Sequence, residues 1–195
     1  AAARLKVPVL ALNRLNKTGP IKNKNGNLFF FSLAPEDEAK QLAIRGREAG
    51  HKNILLIASD DDWGDRTVNA FRSEFTDFDS VNIFENRFRA DEAYAEFVKE
   101  MLAVDDSEKR AEELRRITGQ SFEFKPRRRQ DIDMIALLAD AEKSRQINPA
   151  LAFYYADNLP VYATSLVHTQ GQTKINNLDL HGIRFCDMPW KLFPS

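Results

Sequence analysis

The sequence has a single cysteine and only three histidines in 195 residues. Cys186 standing alone excludes a disulfide within the chain and any cysteine metal site. It also argues against a disulfide-stapled secreted domain. His51, His168 and His181 do not have zinc-ligand spacing. No apolar run approaches the roughly 20 residues that span a bilayer. Neither charge sign dominates, because 28 Lys and Arg face 29 Asp and Glu for a net charge of −1. No global attraction to nucleic acid or to an anionic membrane follows, and no nucleic-acid partner is expected. GxGxxG and Walker A patterns are missing, so there is no dinucleotide or P-loop signal, and no cofactor is expected. No leader is visible. The opening residues AAARLKVPVLALN look like the middle of a fold, so the expectation is a fragment, and a missing leader says nothing about location.

What is present is ordinary globular composition, with 43% hydrophobic and 29% charged residues and enough length for one α/β domain. VPVLALN (7–13) reads as a short strand, followed by the turn-rich linker NKTGPIKNKNGN, and FFFSLA (29–34) is a second extended run. PEDEAKQLAIRGREAG opens with Pro35 and three acids, which suit a helix N-terminus, and closes at Gly50. Leu42, Ala43, Gly46 and Ala49 give that helix one small apolar face.

A regular alternation follows. ILLIAS (54–59) shows almost no polar alternation, so it is expected to be covered on both faces. WGDRTVNAFRSEF is an amphipathic helix with Val68, Phe71 and Phe75 at helical spacing. VNIFENRF (81–88) is a strand and DEAYAEFVKEML a helix. A charged insertion at about 105–130 is expected to contain a further helix, with Phe122 and Phe124 able to pack it back onto the domain. IDMIALLA (132–139) is another buried strand, then comes a helix interrupted at Pro149, then the strands PVYATS (160–165) and IRFCDM (183–188). Strands separated by helices imply a doubly wound parallel sheet with helices on both faces. With the strands from ILLIAS onward numbered one to five, the expected order is 2-1-3-4-5.

In an open parallel sheet, functional groups sit beyond the carboxyl ends of the strands. That edge carries Asp60, Asp61 and Asp62, then Asp140, then Thr164 and Ser165, then Asp187 followed by Lys191. A receiver-type phosphoacceptor needs acids, an aspartate, a Ser or Thr and a Lys in that order. The long insertion before strand three and the LFP after Lys191 depart from the pattern. The plainer reading is that the acids favour a helix N-terminus and that Asp62 caps it. A serine triad would need Ser165 beside a histidine such as His168, but no GxSxG elbow surrounds the serine. No catalytic residue and no metal ligand is assigned. The basic run KPRRR (125–129) can touch an acidic partner or phosphate; the competing reading is a solvated, mobile insertion.

Three stretches carry a resemblance. FFFSLAPEDEAKQLA resembles the segment by which a type I periplasmic binding protein crosses into its second lobe. ILLIASDDDWGDRTVNAF looks like that lobe's first strand and helix. INPALAFYYADNLPVYATSLVH with LDLHGIRFCDMPW is similar to the family of the penicillin-binding protein activator LpoA. The resemblance implies a non-enzymatic outer-membrane lipoprotein of Gram-negative bacteria. It implies stimulation of a class A penicillin-binding protein, a bifunctional peptidoglycan synthase, by contact in the periplasm. It further implies that residues 1–28 are a remnant strand of a first lobe with its linker, the strand having no sheet of its own, and that 29–195 are the second lobe. The helical-repeat domain and the lipid-attachment cysteine of that family would lie outside this chain. Arg127, Arg128 and Arg129 are then candidate partner contacts, and Asp61, Trp63 and Ser165 a candidate cleft edge. The alternatives are a ligand-binding lobe of a solute receptor for an amino acid or wall fragment, and the phosphoacceptor.

Overall fold

Two stretches that lack any polar alternation form the centre of the molecule. In the computed structural model, which describes residues 7–11, 27–30, 34–76, 80–168 and 178–187, ILLIAS becomes β3 (Asn53–Ser59) and MIALL becomes β5 (Met134–Leu138). Every residue from Ile54 to Ser59 and from Met134 to Ala139 is buried. The reason is a helical layer on each face. Ile54, Leu56 and Ala58 point to one side, where α1 (Pro35–Glu48) and α2 (Asp62–Ser73) contribute Ala39, Leu42, Val68 and Phe71. Leu55 and Ile57 point to the other, where α3 (Tyr94–Met101) and α5 (Ala141–Phe153) contribute Val98, Ile147 and Leu151. Each such large side chain contributes on the order of 1.5–3 kcal/mol by leaving water.

β4 (Asn82–Phe88), β6 (Val161–Ala163) and β7 (Ile183–Phe185) complete a five-stranded, wholly parallel sheet ordered β4-β3-β5-β6-β7. That is the expected 2-1-3-4-5 order. Leu55 stands opposite Phe84 and Ile135, Ile135 opposite Val161, and Val161 opposite Ile183. Val68, Phe71 and Phe75 are buried as their spacing predicts. Gly46 lies so close to the sheet that a Cβ there would be 2.6 Å from the Met134 sulfur.

Four expectations need correction. Ala49 leaves the small face of α1, because it is the C-cap and is exposed. Pro149 does not interrupt α5; the helix runs through it to Phe153, held by the buried Ile147 and Leu151 on either side. The strand expected to stand without a sheet, β1 (Val9–Ala11), pairs in parallel with β2 (Leu28–Phe30) in a separate two-stranded sheet. The insertion does contain a helix, α4 (Val104–Thr118), but Phe122 does not pack back onto the domain; it lies against Arg115 of α4. The linker at 16–26, residues 169–177 of the loop between β6 and β7, and Lys191 fall outside the described residues.

Candidate functional site

The C-terminal edge of the sheet is built by the residues that follow each strand. After β3 the backbone at Asp61 is extended, and its Oδ1 accepts from the Gly64 N–H at 2.7 Å and from the Ser59 hydroxyl at 2.9 Å. Asp61, not Asp62, therefore caps α2, because only the residue that is still extended can turn its carboxylate onto the first helical N–H groups. The turn is tight. A Cβ on Gly64 would sit 1.9 Å from the Ser59 carbonyl oxygen. Arg87 of β4 donates to that same carbonyl at 3.0 Å and pairs with Asp65 at 3.1 Å and Glu85 at 2.6 Å. Asp60 turns outward to Arg89 at 3.5 Å. Trp63 is half-buried and packs on the α1–α2 side of the core.

After β5, Asp140 caps α5 by accepting from the Lys143 N–H at 3.0 Å, and it pairs with the Lys143 ammonium. Burial opposes its charge, but the bonds from Lys143 outweigh burial and hold the carboxyl below its ordinary value. After β6, the Ser165 N–H donates to Glu38 at 2.7 Å and its hydroxyl to the other Glu38 oxygen at 2.9 Å. Glu38 is 7% exposed, a buried carboxylate delivered by the first turn of α1. Thr164 Oγ1, next to it, is buried and has no hydrogen-bond partner among the described residues. After β7, Asp187 pairs with His168 Nδ1 at 3.3 Å, and the imidazole stacks on Phe185 at 5.2 Å. Burial, together with the nearby Glu38 and Asp187 charges, pushes the Cys186 thiol up to about 11.

The described edge residues named from sequence thus share one end of the sheet but not one chemical unit. The acids expected to act together are spent separately: Asp60 on Arg89, Asp61 on a helix cap, Asp140 on Lys143. Ser165 bonds Glu38, while His168 bonds Asp187, so they are not linked as nucleophile and base. Sequence reasoning missed Glu38, reading it only as a first-turn acid. Its spacing held the signal: Glu38 precedes Leu42 by four residues and so falls on the buried face of α1.

The basic run divides more sharply. Arg128 is 6% exposed. Its guanidinium donates to the Tyr155 carbonyl at 2.9 Å, the Arg129 carbonyl at 2.7 Å and Asn158 Oδ1 at 3.0 Å. It is a fastener and cannot be a surface contact. Arg129 is half-buried, clamps Asp131 at 2.5 and 2.8 Å and lies 4.0 Å over the Phe84 ring. That clamp lowers the Asp131 pKa and raises that of Arg129. Only Lys125 and Arg127 are exposed, and they line a cavity of about 480 Å³ with Glu123 and Phe124. The segment is therefore pinned at its carboxyl end and open to solvent at its amino end.

Known proteins share this fold and, more distantly, this sequence. A protein named penicillin-binding protein activator LpoA from Vibrio cholerae is 24% identical over 192 residues, covering 97% of this chain and 31% of its own. The chain spans under a third of the length of the curated relatives it matches. The LpoA C-domain of Haemophilus influenzae, described as a regulator of PBP1A, superposes with a TM-score of 0.63 at 19% identity, covering 93% of this chain and 48% of its own. A Chromobacterium violaceum structure named as a "putative branched-chain amino acid ABC transporter" has a TM-score of 0.61 at 27% identity, over 100% of this chain and 52% of its own. The fold is thus that of the LpoA C-domain and of periplasmic-binding-protein-like proteins. A family model described as "LppC putative lipoprotein" matches residues 2–195, and the chain belongs to the LppC family.

Proposed function

We propose that this chain is a non-enzymatic regulator of peptidoglycan synthesis, acting by contact with a class A penicillin-binding protein. The observation that carries the reading is the near-complete alignment of the chain with relatives named as penicillin-binding protein activators. The geometry supports it, because the groups at the sheet edge are engaged in capping helices and joining elements. The parent would be held at the periplasmic face of the outer membrane by a lipid outside this chain. Residues 29–195 would form its second lobe, with 1–28 contributed by the first. Of the proposed contacts, Arg127 stays in the reading, Arg129 only by its exposed fringe, and Arg128 leaves it. Asp61, Trp63 and Ser165 remain the candidate cleft edge.

The test is a titration of this chain, and of its full-length parent, against a purified class A penicillin-binding protein at two salt concentrations. Saturable binding by both is expected. Binding by the parent alone would move the contact elsewhere in that protein, and binding by neither would overturn the activator reading.

The solute-receptor reading is favoured by the 27% identity to the transporter-named structure. Against it stands Glu38. The Ser165 N–H and hydroxyl, the donors a ligand would meet at the edge, are already taken by an internal carboxylate. A thermal shift of the parent across amino acids and wall fragments is expected to be flat; a saturable shift would restore that reading.

A further inference from the structure

α4 is anchored along its first half only. Val104, Ser107 and Ala111, at i, i+3 and i+7, are buried, and Lys99 of α3 holds Asp105 at 2.5 Å and Glu108 at 3.3 Å. Ser107 Oγ also accepts from the Arg127 N–H at 3.2 Å. The same stripe continues to Leu114, which is 52% exposed, and one turn on is Ile117, 70% exposed. Every residue from Glu112 to Glu123 is exposed. The chain then doubles back. Arg115 lies 5.2 Å over the Phe122 ring and donates to the Phe122 carbonyl at 3.4 Å, which sets a third apolar side chain beside the helix.

Single exposed apolar residues need no explanation, but Leu114 and Ile117, one turn apart on a charged projection, form an open apolar face, with Phe122 held by Arg115 at the same end of the helix. Its rim is basic. Arg110 precedes Leu114 by one turn and Ile117 by two, Arg115 covers Phe122, and Lys125 and Arg127 follow. Glu113, on the same side, is engaged by Arg116 at 3.7 Å. Arg110, Lys125 and Arg127 make no ion pair among the described residues. Between Arg110 and Arg127 five cations face three carboxylates (Glu112, Glu113 and Glu123).

We propose that the open face of Leu114 and Ile117, on a segment that also carries Arg110, Arg115 and Arg127, docks a protein segment that carries carboxylates around an apolar side chain. Charge complementarity selects that occupant. A second copy would bring cation rim against cation rim, and a plain polyanion would leave the apolar centre wet. The inference rests on the activator reading, in which the segment belongs to the synthase.

The experiment titrates the whole chain against a purified class A penicillin-binding protein at low and high salt. Three variants accompany it: Leu114→Ser/Ile117→Ser, Arg110→Gln/Arg115→Gln/Arg127→Gln, and Phe153→Ser as a control at an equally open aromatic on α5. We expect the apolar pair to weaken binding at least tenfold at both salts. The charge triple should weaken it comparably at low salt and converge on the parent at high salt. The control should bind as the parent does. Wild-type affinity in both α4 variants would overturn the inference and leave the activator reading standing. Failure of the unmodified chain and its full-length parent to bind would overturn both together. Equal weakening by Phe153→Ser would reduce the patch to general stickiness, and sedimentation showing a dimer abolished by Leu114→Ser/Ile117→Ser would make the face a self-interface; either overturns it.

Discussion

The carboxyl edge of the sheet and the free half of α4 both carry exposed-type residues but treat them in opposite ways. At the edge, Asp61, Asp140, Ser165, Glu38 and Arg87 are each bound to another part of the chain, so their chemistry is spent on holding strands and helices in place. Along α4 beyond Ala111, Leu114 and Ile117 face solvent, as does Arg110 just before it, with little that the fold requires of them. The difference separates groups that build the domain from groups left available to something outside it. It also reverses the emphasis of a topological reading, which places function at the edge.

The contrast is most easily broken at Gly64. A methyl group there meets the Ser59 carbonyl at 1.9 Å and Arg87 Nη1 at 2.8 Å, and the nearer contact is backbone that cannot swing aside. Gly64→Ala should therefore destabilise the domain by about 3 kcal/mol, at the high end for overpacking. A urea midpoint within error of the parent would mean that the edge is not the rigid joint described. Next in size is Arg128→Met, which keeps the aliphatic stem but removes three donated bonds. Losing three charge-assisted bonds made by a buried guanidinium to partly buried acceptors costs about 2 kcal/mol. The corresponding change at Arg127, whose side chain is exposed, should move stability by less than about 0.5 kcal/mol. Equal losses at both positions would erase the division of the basic run.

A smaller effect, with a pH signature, is expected at Asp140. Asp140→Asn weakens the cap of α5 and removes the Lys143 pair, a loss of about 1 kcal/mol near neutrality, modest because the side chain is partly solvated. The Asp140 pKa is lowered on folding, so its contribution is present above the ordinary value of 3.8 and is lost as pH falls through the depressed folded value. The Lys143 pKa is raised, so the lysine's contribution is present below 10.5 and is lost as pH rises through the elevated value. The stability gap between parent and variant should hold across that window and narrow outside it. A gap that widens in acid would contradict the assignment.

How much of this was legible in the sequence depends on what decided each feature. The sheet order and both helical layers follow from two unbroken apolar strands and from helices at regular intervals, because burial on both faces leaves no room for polar residues in ILLIAS or MIALL. Three adjacent arginines, in contrast, look alike in sequence. Their separation into exposed, buried and half-buried comes from an irregular segment threading between Ser107 and Leu102 on one side and Tyr155 on the other. Nothing local encodes that path. Glu38 lay between these cases: its helical phase was readable, but its partner is 127 positions away. The exposure of Leu114 and Ile117 was hidden for the opposite reason, since their periodicity continues a buried stripe and only the extent of the domain shows that the stripe outruns it.

That last point gives the smallest expected effect on stability and the sharpest test of the comparison. Ile and Leu at buried helix positions lose several kcal/mol when shortened, whereas open positions lose little beyond helix propensity. Leu114→Ser/Ile117→Ser should shift the unfolding free energy by less than about 1 kcal/mol, chiefly through the lower helix propensity of Ser. Ala111→Ser, only one turn earlier but buried, brings a hydroxyl into a packed site and should cost about as much with a single substitution. If the double substitution proved strongly destabilising in urea, the stripe would be covered by the protein's own chain, and α4 would belong with the sheet edge as structure. If it proved nearly silent, Leu114 and Ile117 are not maintained by folding, and their presence calls for a partner.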